Sequence, residues 1–255
     1  MSASVLLEGG GSVATLTLNR PPLNILDLEM IAALGNRLAG LADDDSLQLL
    51  ILRGAGEKAF SVGVAVQEHT PDKVDRMLDA FHSAILTLRR LPAVTLAVIR
   101  GHCLGGGMEL AAGCDLRLAA ETSRFGQPEI DLGCFPPLAA ALYPRWLGGG
   151  RALDLLATGR ILSAQEAERI GFVTRRVPDA RVDEEVQEIT DQLTSKSRAV
   201  TRILKRAILA GREGPFEAAL AESERLYRQD LVATEDMREG LTAFLEKRPP
   251  RWKHR

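Results

Sequence analysis

The run Val94-Thr-Leu-Ala-Val-Ile-Arg-Gly-His-Cys-Leu-Gly-Gly-Gly-Met-Glu-Leu110 decides the fold class. Val94 to Ile99 reads as a continuous apolar segment, the signature of a strand covered on both faces. A glycine-rich loop follows, then a short helix. Consecutive glycines let the backbone approach a ligand with its N–H groups exposed, which favours something negative. They also permit tight packing of a loop, and a second triplet, Gly148 to Gly150, is assigned to packing alone. Two nucleotide motifs fail here: no Gly-Lys-Ser/Thr closes the loop, and after Gly105 and Gly107 the third position of a dinucleotide fingerprint is Leu110.

On the N-terminal side, Val13 to Leu18 alternates with period two, as a half-buried strand does, and Asn19-Arg-Pro-Pro22 stops it. Asp27 is placed to cap a helix whose apolar stripe is Leu28, Ile31, Leu34, Leu38 and Leu41. Leu47 to Leu52 reads as a buried strand, Gly54 to Gly63 as a loop, and Val74 to Leu88 as a second long helix ended by Pro92. Further short strands are expected at Leu116 to Ala119 and around Phe125, whereas the pattern beyond Pro144 is almost wholly helical. Strands alternating with helices predict an α/β core, and the later run of helices predicts a separate helical region. The boundary falls near 190, giving 1–190 and 191–255. A strand-strand-helix unit recurs weakly at Val13 to Leu41, Leu47 to Leu88 and Val94 to Ala112.

The chain has 255 residues, 45% hydrophobic and 26% charged, which excludes disorder and fibre. A net charge of −2 offers no global positive field for nucleic acid or anionic lipid. Apolar runs fall far short of a membrane span, and the N-terminus shows no signal or transit pattern, so a soluble cytoplasmic protein is expected. Cys103, Cys114 and Cys134 lack metal or disulfide spacing and are read as buried reduced thiols. His69, His82, His102 and His254 show no spacing suited to a metal, and no metal site is expected. Lys196, Arg198, Arg202, Lys205, Arg206 and Arg212 gather on one expected helix, where solvation is favoured over contact with an anionic ligand.

Two carboxylates stand out. Glu109 lies in the first turn after the glycine triplet, where a helix dipole favours its charge. Glu129, in Phe125-Gly-Gln-Pro-Glu129, follows a proline among apolar neighbours that raise a carboxyl pKa. Such a contrast suits a site that polarises a water and supplies a proton elsewhere. A capping charge and a solvated surface charge are the competing readings.

Taken in order, Lys58-Ala-Phe-Ser-Val-Gly63, Gly101 to Glu109, Phe125 to Glu129 and Glu239-Gly-Leu-Thr-Ala-Phe-Leu-Glu-Lys-Arg248 resemble the crotonase, or enoyl-CoA hydratase/isomerase, superfamily across nearly the whole chain. The resemblance implies a spiral of strand-strand-helix turns with a helical C-terminal region, assembled as trimers or dimers of trimers. It implies acyl-CoA substrates, with no cofactor beyond the coenzyme A of the thioester. By the same resemblance, the N–H groups of Val64 and Gly106 form an oxyanion hole, and Glu109 and Glu129 act around one water. Apolar residues of the C-terminal helices (Phe216, Leu220, Leu226, Leu231 and Leu241 to Leu245) are expected to serve the oligomer.

The sequence also departs from the family. Gly63-Val64-Ala65 lacks the acidic residue common in this segment, and Gly133-Cys-Phe-Pro-Pro-Leu138 is bulkier than the family's glycine-rich stretch. Val66-Gln-Glu-His69, Thr-Pro-Asp72 and Phe135-x-Pro137 are similar to the branch that hydrates cyclohexa-1,5-diene-1-carbonyl-CoA. Ala65, His69, Phe135, Pro136 and Pro137 are therefore expected in the substrate pocket, His69 as a loop hydrogen-bonding residue. The expected activity is hydration of an unsaturated, cyclic dienoyl acyl-CoA through an enolate. A general enoyl-CoA hydratase or isomerase is the nearer alternative, and a non-catalytic acyl-CoA or RNA-binding homologue the more distant one.

Overall fold

The computed structural model describes residues 3–255, apart from the side chain of Glu213. It opens with the antiparallel pair β1 (Val5–Gly10) and β2 (Val13–Leu18), followed by helix α1 (Leu28–Ala42). Asp27 caps α1, its side chain accepting from the Met30 N–H at 2.9 Å, as the sequence predicts. Next come β3 (Leu49–Gly54), β4 (Ala59–Ser61) and α2 (Val74–Arg90), then β5 (Val94–Ile99), β6 (His102–Leu104) and α3 (Gly106–Gly113), then β7 (Leu116–Ala120) and β8 (Arg124–Gly126).

From β3 onward each turn places its first strand in one sheet and its second in the other. The six-stranded sheet runs β1-β2-β3-β5-β7-β10 and the four-stranded sheet β4-β6-β8-β9, where β9 is Leu162–Ser163 and β10 is Arg175–Val177. The weak sequence repeat is thus a real spiral. Two expectations are corrected. The segment Gly54 to Gly63 contains strand β4, which pairs in parallel with β6, and the stretch beyond Pro144 contains β9 and β10, which complete the two sheets.

The spiral explains the two-sided apolar strands. Along β3, Leu50 and Leu52 face the main core with α1 and α2, while Leu49 and Ile51 face a second core with Val182 and Ile189 of α7 (Val182–Thr194). Between these lie α4 (Pro137–Leu147), α5 (Gly149–Thr158) and α6 (Ala164–Arg169); α8 (Arg198–Glu213), α9 (Phe216–Arg225) and α10 (Glu235–Leu245) close the chain. The packing role given to Gly148 to Gly150 is not found, because a Cβ built at any of the three meets nothing within 4 Å. Gly148 instead supplies φ +85° at the bend between α4 and α5.

The basic cluster on α8 is not simply solvated. Lys205 is only 7% exposed; its Nζ pairs with Asp115 at 2.7 Å and donates to the Ala93 carbonyl at 2.8 Å. Arg202 donates to the carbonyls of Asp44, Asp45 and Leu47. These cations dock α8 across the starts of β3, β5 and β7. Among the described residues, no helix is long and apolar enough to cross a membrane.

Candidate active site

The site forms where loops of successive turns meet. Ser61 Oγ donates to the Asn24 carbonyl at 2.8 Å and accepts from the Gly63 N–H at 3.1 Å, fixing the chain after β4. Leu26 then pairs across it, donating to the Gly63 carbonyl and accepting from the Ala65 N–H, both at 2.9 Å. In this bridge the Val64 N–H points away from Leu26, and it has no partner among the described residues. The Gly106 N–H, at the first position of α3, is likewise without a helical partner.

The glycines explain how these two donors meet. A Cβ built at Gly63 stands 3.0 Å from Gly106 N, and one built at Gly106 stands 3.3 Å from Val64 N and 2.9 Å from Val64 Cγ2. Gly105 adopts φ +52°, and its Cβ would lie 2.8 Å from Glu129 Oε1. Tight packing of the triplet is how the N–H groups are brought to one place.

These groups border a cavity of about 430 Å³, within the usual size of a small-molecule site. Val64, His69, Gly106, Glu109, Glu129, Phe135, Pro136 and Pro137 all line it. Ala65 does not; its N–H and carbonyl are spent on Leu26 and on His69, whose Nδ1 lies 3.1 Å from the Ala65 oxygen. Phe135, 64% exposed, stands at the cavity's edge. Cys103 and Cys114 are buried, but Cys134 is half-buried and lines the cavity, contrary to the expectation for all three thiols.

Glu109 projects from α3 and accepts from the Ala139 N–H at 2.9 Å; Glu129 sits in the 3-10 turn Pro128–Leu132. The expected contrast between a dipole-stabilised and a desolvated carboxylate is not what the structure shows. Burial raises Glu109 from 4.5 to about 7, with the nearby Glu129 charge adding to it and the Ala139 N–H opposing it. Burial likewise raises Glu129 to about 7. At neutral pH the pair can therefore hold a carboxylate and a carboxylic acid together, the condition for one base and one acid.

Gln127 and Tyr143, both fully buried, were not legible as site residues. With its oxygen accepting from the Tyr143 hydroxyl at 2.9 Å, the Gln127 amide donates to Glu129 Oε1 and Oε2 at 3.2 and 3.1 Å and to the Gly105 carbonyl at 3.2 Å. Gln127 stands inside the quoted Phe125 to Glu129 segment, so the position was in view. Nothing in the local pattern around Tyr143 marks its hydroxyl as the amide's partner. No group of three or more His, Cys, Asp or Glu among the described residues is placed to hold a metal ion.

A spiral of strand-strand-helix turns, with paired buried glutamates and clustered backbone N–H groups at one cavity, defines a crotonase-fold protein. Its structure matches an enoyl-CoA hydratase from Bacillus anthracis with a TM-score of 0.93, at 33% identity over 99% of this chain and 100% of that one. In sequence it is 37% identical to the cyclohexa-1,5-dienecarbonyl-CoA hydratase of Thauera aromatica, over 98% of this chain and 96% of that protein. It is 36% identical to a probable enoyl-CoA hydratase of Mycobacterium leprae, over 99% and 98%. The model of the enoyl-CoA hydratase/isomerase family matches residues 8–255, and the chain belongs to that family.

Proposed function

We propose that this enoyl-CoA hydratase-type lyase adds water to a cyclic dienoyl thioester, cyclohexa-1,5-diene-1-carbonyl-CoA. The observation that carries the hydratase reading is the pair of glutamates, both raised to about 7, at one cavity beside the unpartnered N–H groups of Val64 and Gly106. In this reading the thioester oxygen accepts from both N–H groups. Charge arriving there as water attacks the β-carbon meets donors already aimed, each worth about 3 kcal/mol in the transition state. Glu109 orients and deprotonates the water, and Glu129 supplies a proton to the enolate. The thioester is itself the electron sink, so the step asks for no metal and no cofactor beyond the substrate's coenzyme A.

The ring is favoured by the wall Phe135-Pro136-Pro137. Two prolines fix φ and remove donors, and Phe135 adds a flat apolar face, so a rigid acyl group loses little entropy on binding. The name of the Thauera aromatica relative agrees with this choice, while the Mycobacterium leprae relative, nearly as similar, supports a general hydratase. The two readings separate on kcat/KM for the cyclic dienoyl ester and for crotonyl-CoA, with mass spectrometry for the gain of one water. A cyclic ester preferred tenfold or more supports the proposal. A linear ester preferred by tenfold, about 1.4 kcal/mol, replaces it with a general enoyl-CoA hydratase.

A further inference from the structure

The cavity has very few side chains that can hydrogen-bond. Apart from Glu109, Glu129 and the half-buried Cys134, its only polar side chain among the described residues is His69, which arrives from the 3-10 turn Val66–His69 rather than from the elements that bear the glutamates. Val66, Val74, Met77 and Leu78, which line the same cavity, are all apolar. A lone imidazole in such a wall acts on whatever reaches that part of the cavity.

The ring's chemistry is set by its own turn. A carbonyl can only accept, so the 3.1 Å contact to the Ala65 oxygen requires the proton on Nδ1. Nε2 is then a bare lone pair in the neutral ring and an N–H in the charged one, and no protein group described pairs with it. In both states Nδ1–H keeps the same bond, so the ring need not turn when Nε2 gains or loses a proton. Ala65 is also the residue after Val64 and is held by Leu26, which fixes the imidazole relative to the Val64 N–H.

A conjugated ring substrate creates a task for such a group. When water adds to the β-carbon of the cyclic dienoyl ester, the electron pair spreads to the thioester oxygen and on to the far end of the second double bond. That remote carbon lies across the ring from the carbon attacked. We propose that His69 is a catalytic residue for this step: with the ring ester its Nε2, in place of Glu129, delivers the proton to the remote carbon, while Glu129 serves the carbon beside the carbonyl. The balance closes. Water's oxygen bonds to the β-carbon and one of its protons passes to a glutamate. The Nε2–H bond breaks, its proton takes the dienolate's electron pair at the remote carbon, and the thioester carbonyl re-forms. The glutamate then gives up one proton to solvent and the imidazole takes one back.

The inference rests on the ring-substrate reading, and its test separates the two. Wild type and His69→Gln are each assayed with the cyclic dienoyl ester and with crotonyl-CoA, which has no remote carbon to protonate, and the adducts are resolved by NMR in D₂O. In the variant, kcat/KM for the cyclic ester should fall roughly 100-fold, with crotonyl-CoA hydration within about threefold of wild type. The residual product should shift from the adduct deuterated at the remote carbon toward the one deuterated beside the carbonyl. Equal losses on both esters with an unchanged adduct ratio would show a merely structural histidine, and an unchanged cyclic rate would dismiss the step. A wild type that hydrates crotonyl-CoA and leaves the cyclic ester untouched overturns the ring reading and this step together.

Discussion

Glu129→Gln keeps the size and hydrogen bonding of the side chain but removes its transferable proton. Turnover of crotonyl-CoA should fall by roughly 10² to 10⁴ in steady-state assays, with ester binding kept. Glu109→Gln should lose as much, and the double variant little more than either, because groups acting on one water are not additive. The same substitutions should stabilise the fold. A carboxyl whose pKa rises from 4.5 to about 7 on folding binds more protons folded than unfolded across that window, so its contribution falls as pH climbs. Each variant should therefore exceed wild type in unfolding free energy at pH 8, by up to about 3 kcal/mol, and match it below pH 4.5, as thermal melts against pH would record. Tyr143→Phe tests the amide behind Glu129. Without the hydroxyl that holds its oxygen, Gln127 is less firmly fixed as a donor to the carboxylate, a bond that favours the charged form, so the Glu129 limb of the kcat–pH profile should move upward. Glu109 and Glu129 were legible because a carboxylate beside a glycine triplet or behind a proline is unusual locally. Their shared burial was not, since it is made by Ala139 and Tyr143 arriving from elsewhere, Tyr143 through its bond to Gln127.

Among the elements, long periodic ones could be read and short ones could not. The stripe of α1 and the cap at Asp27 repeat over fifteen residues, enough for a 3.6-residue period to declare itself. Strands β4 and β6 have three residues each and show barely one alternation, so Gly54 to Gly63 read as a loop. Charge misled in α8, because a basic helix face usually meets water, whereas here Lys205 reaches past its own helix to Asp115. Lys205→Met would leave Asp115 part-buried without its cation. A loss of about 3 kcal/mol in urea unfolding is expected, and a loss under 0.5 kcal/mol would show that Thr95 alone suffices for that carboxylate.

At the scale of the molecule, exposed apolar side chains gather on the last helices. Phe216, Phe244 and Leu245 are each well exposed, as are Leu220 and Leu241, although Leu226, expected among them, is buried in its own fold. Such a surface should be covered by further copies of the chain, so sedimentation at micromolar concentration should report an oligomer, and a monomer would refute this. The order of the large sheet follows the order of the chain from β1 to β10. Growth of the spiral is then close to one-dimensional, each turn templating the next as layers add to a stack. Helix α8 breaks that simplicity, for its cations grip residues 44 to 47, 93 and 115, which belong to three different layers. The stack thereby becomes a closed circuit. A chain cut short before α8 would keep every strand pairing yet lose the cross-tie between its layers.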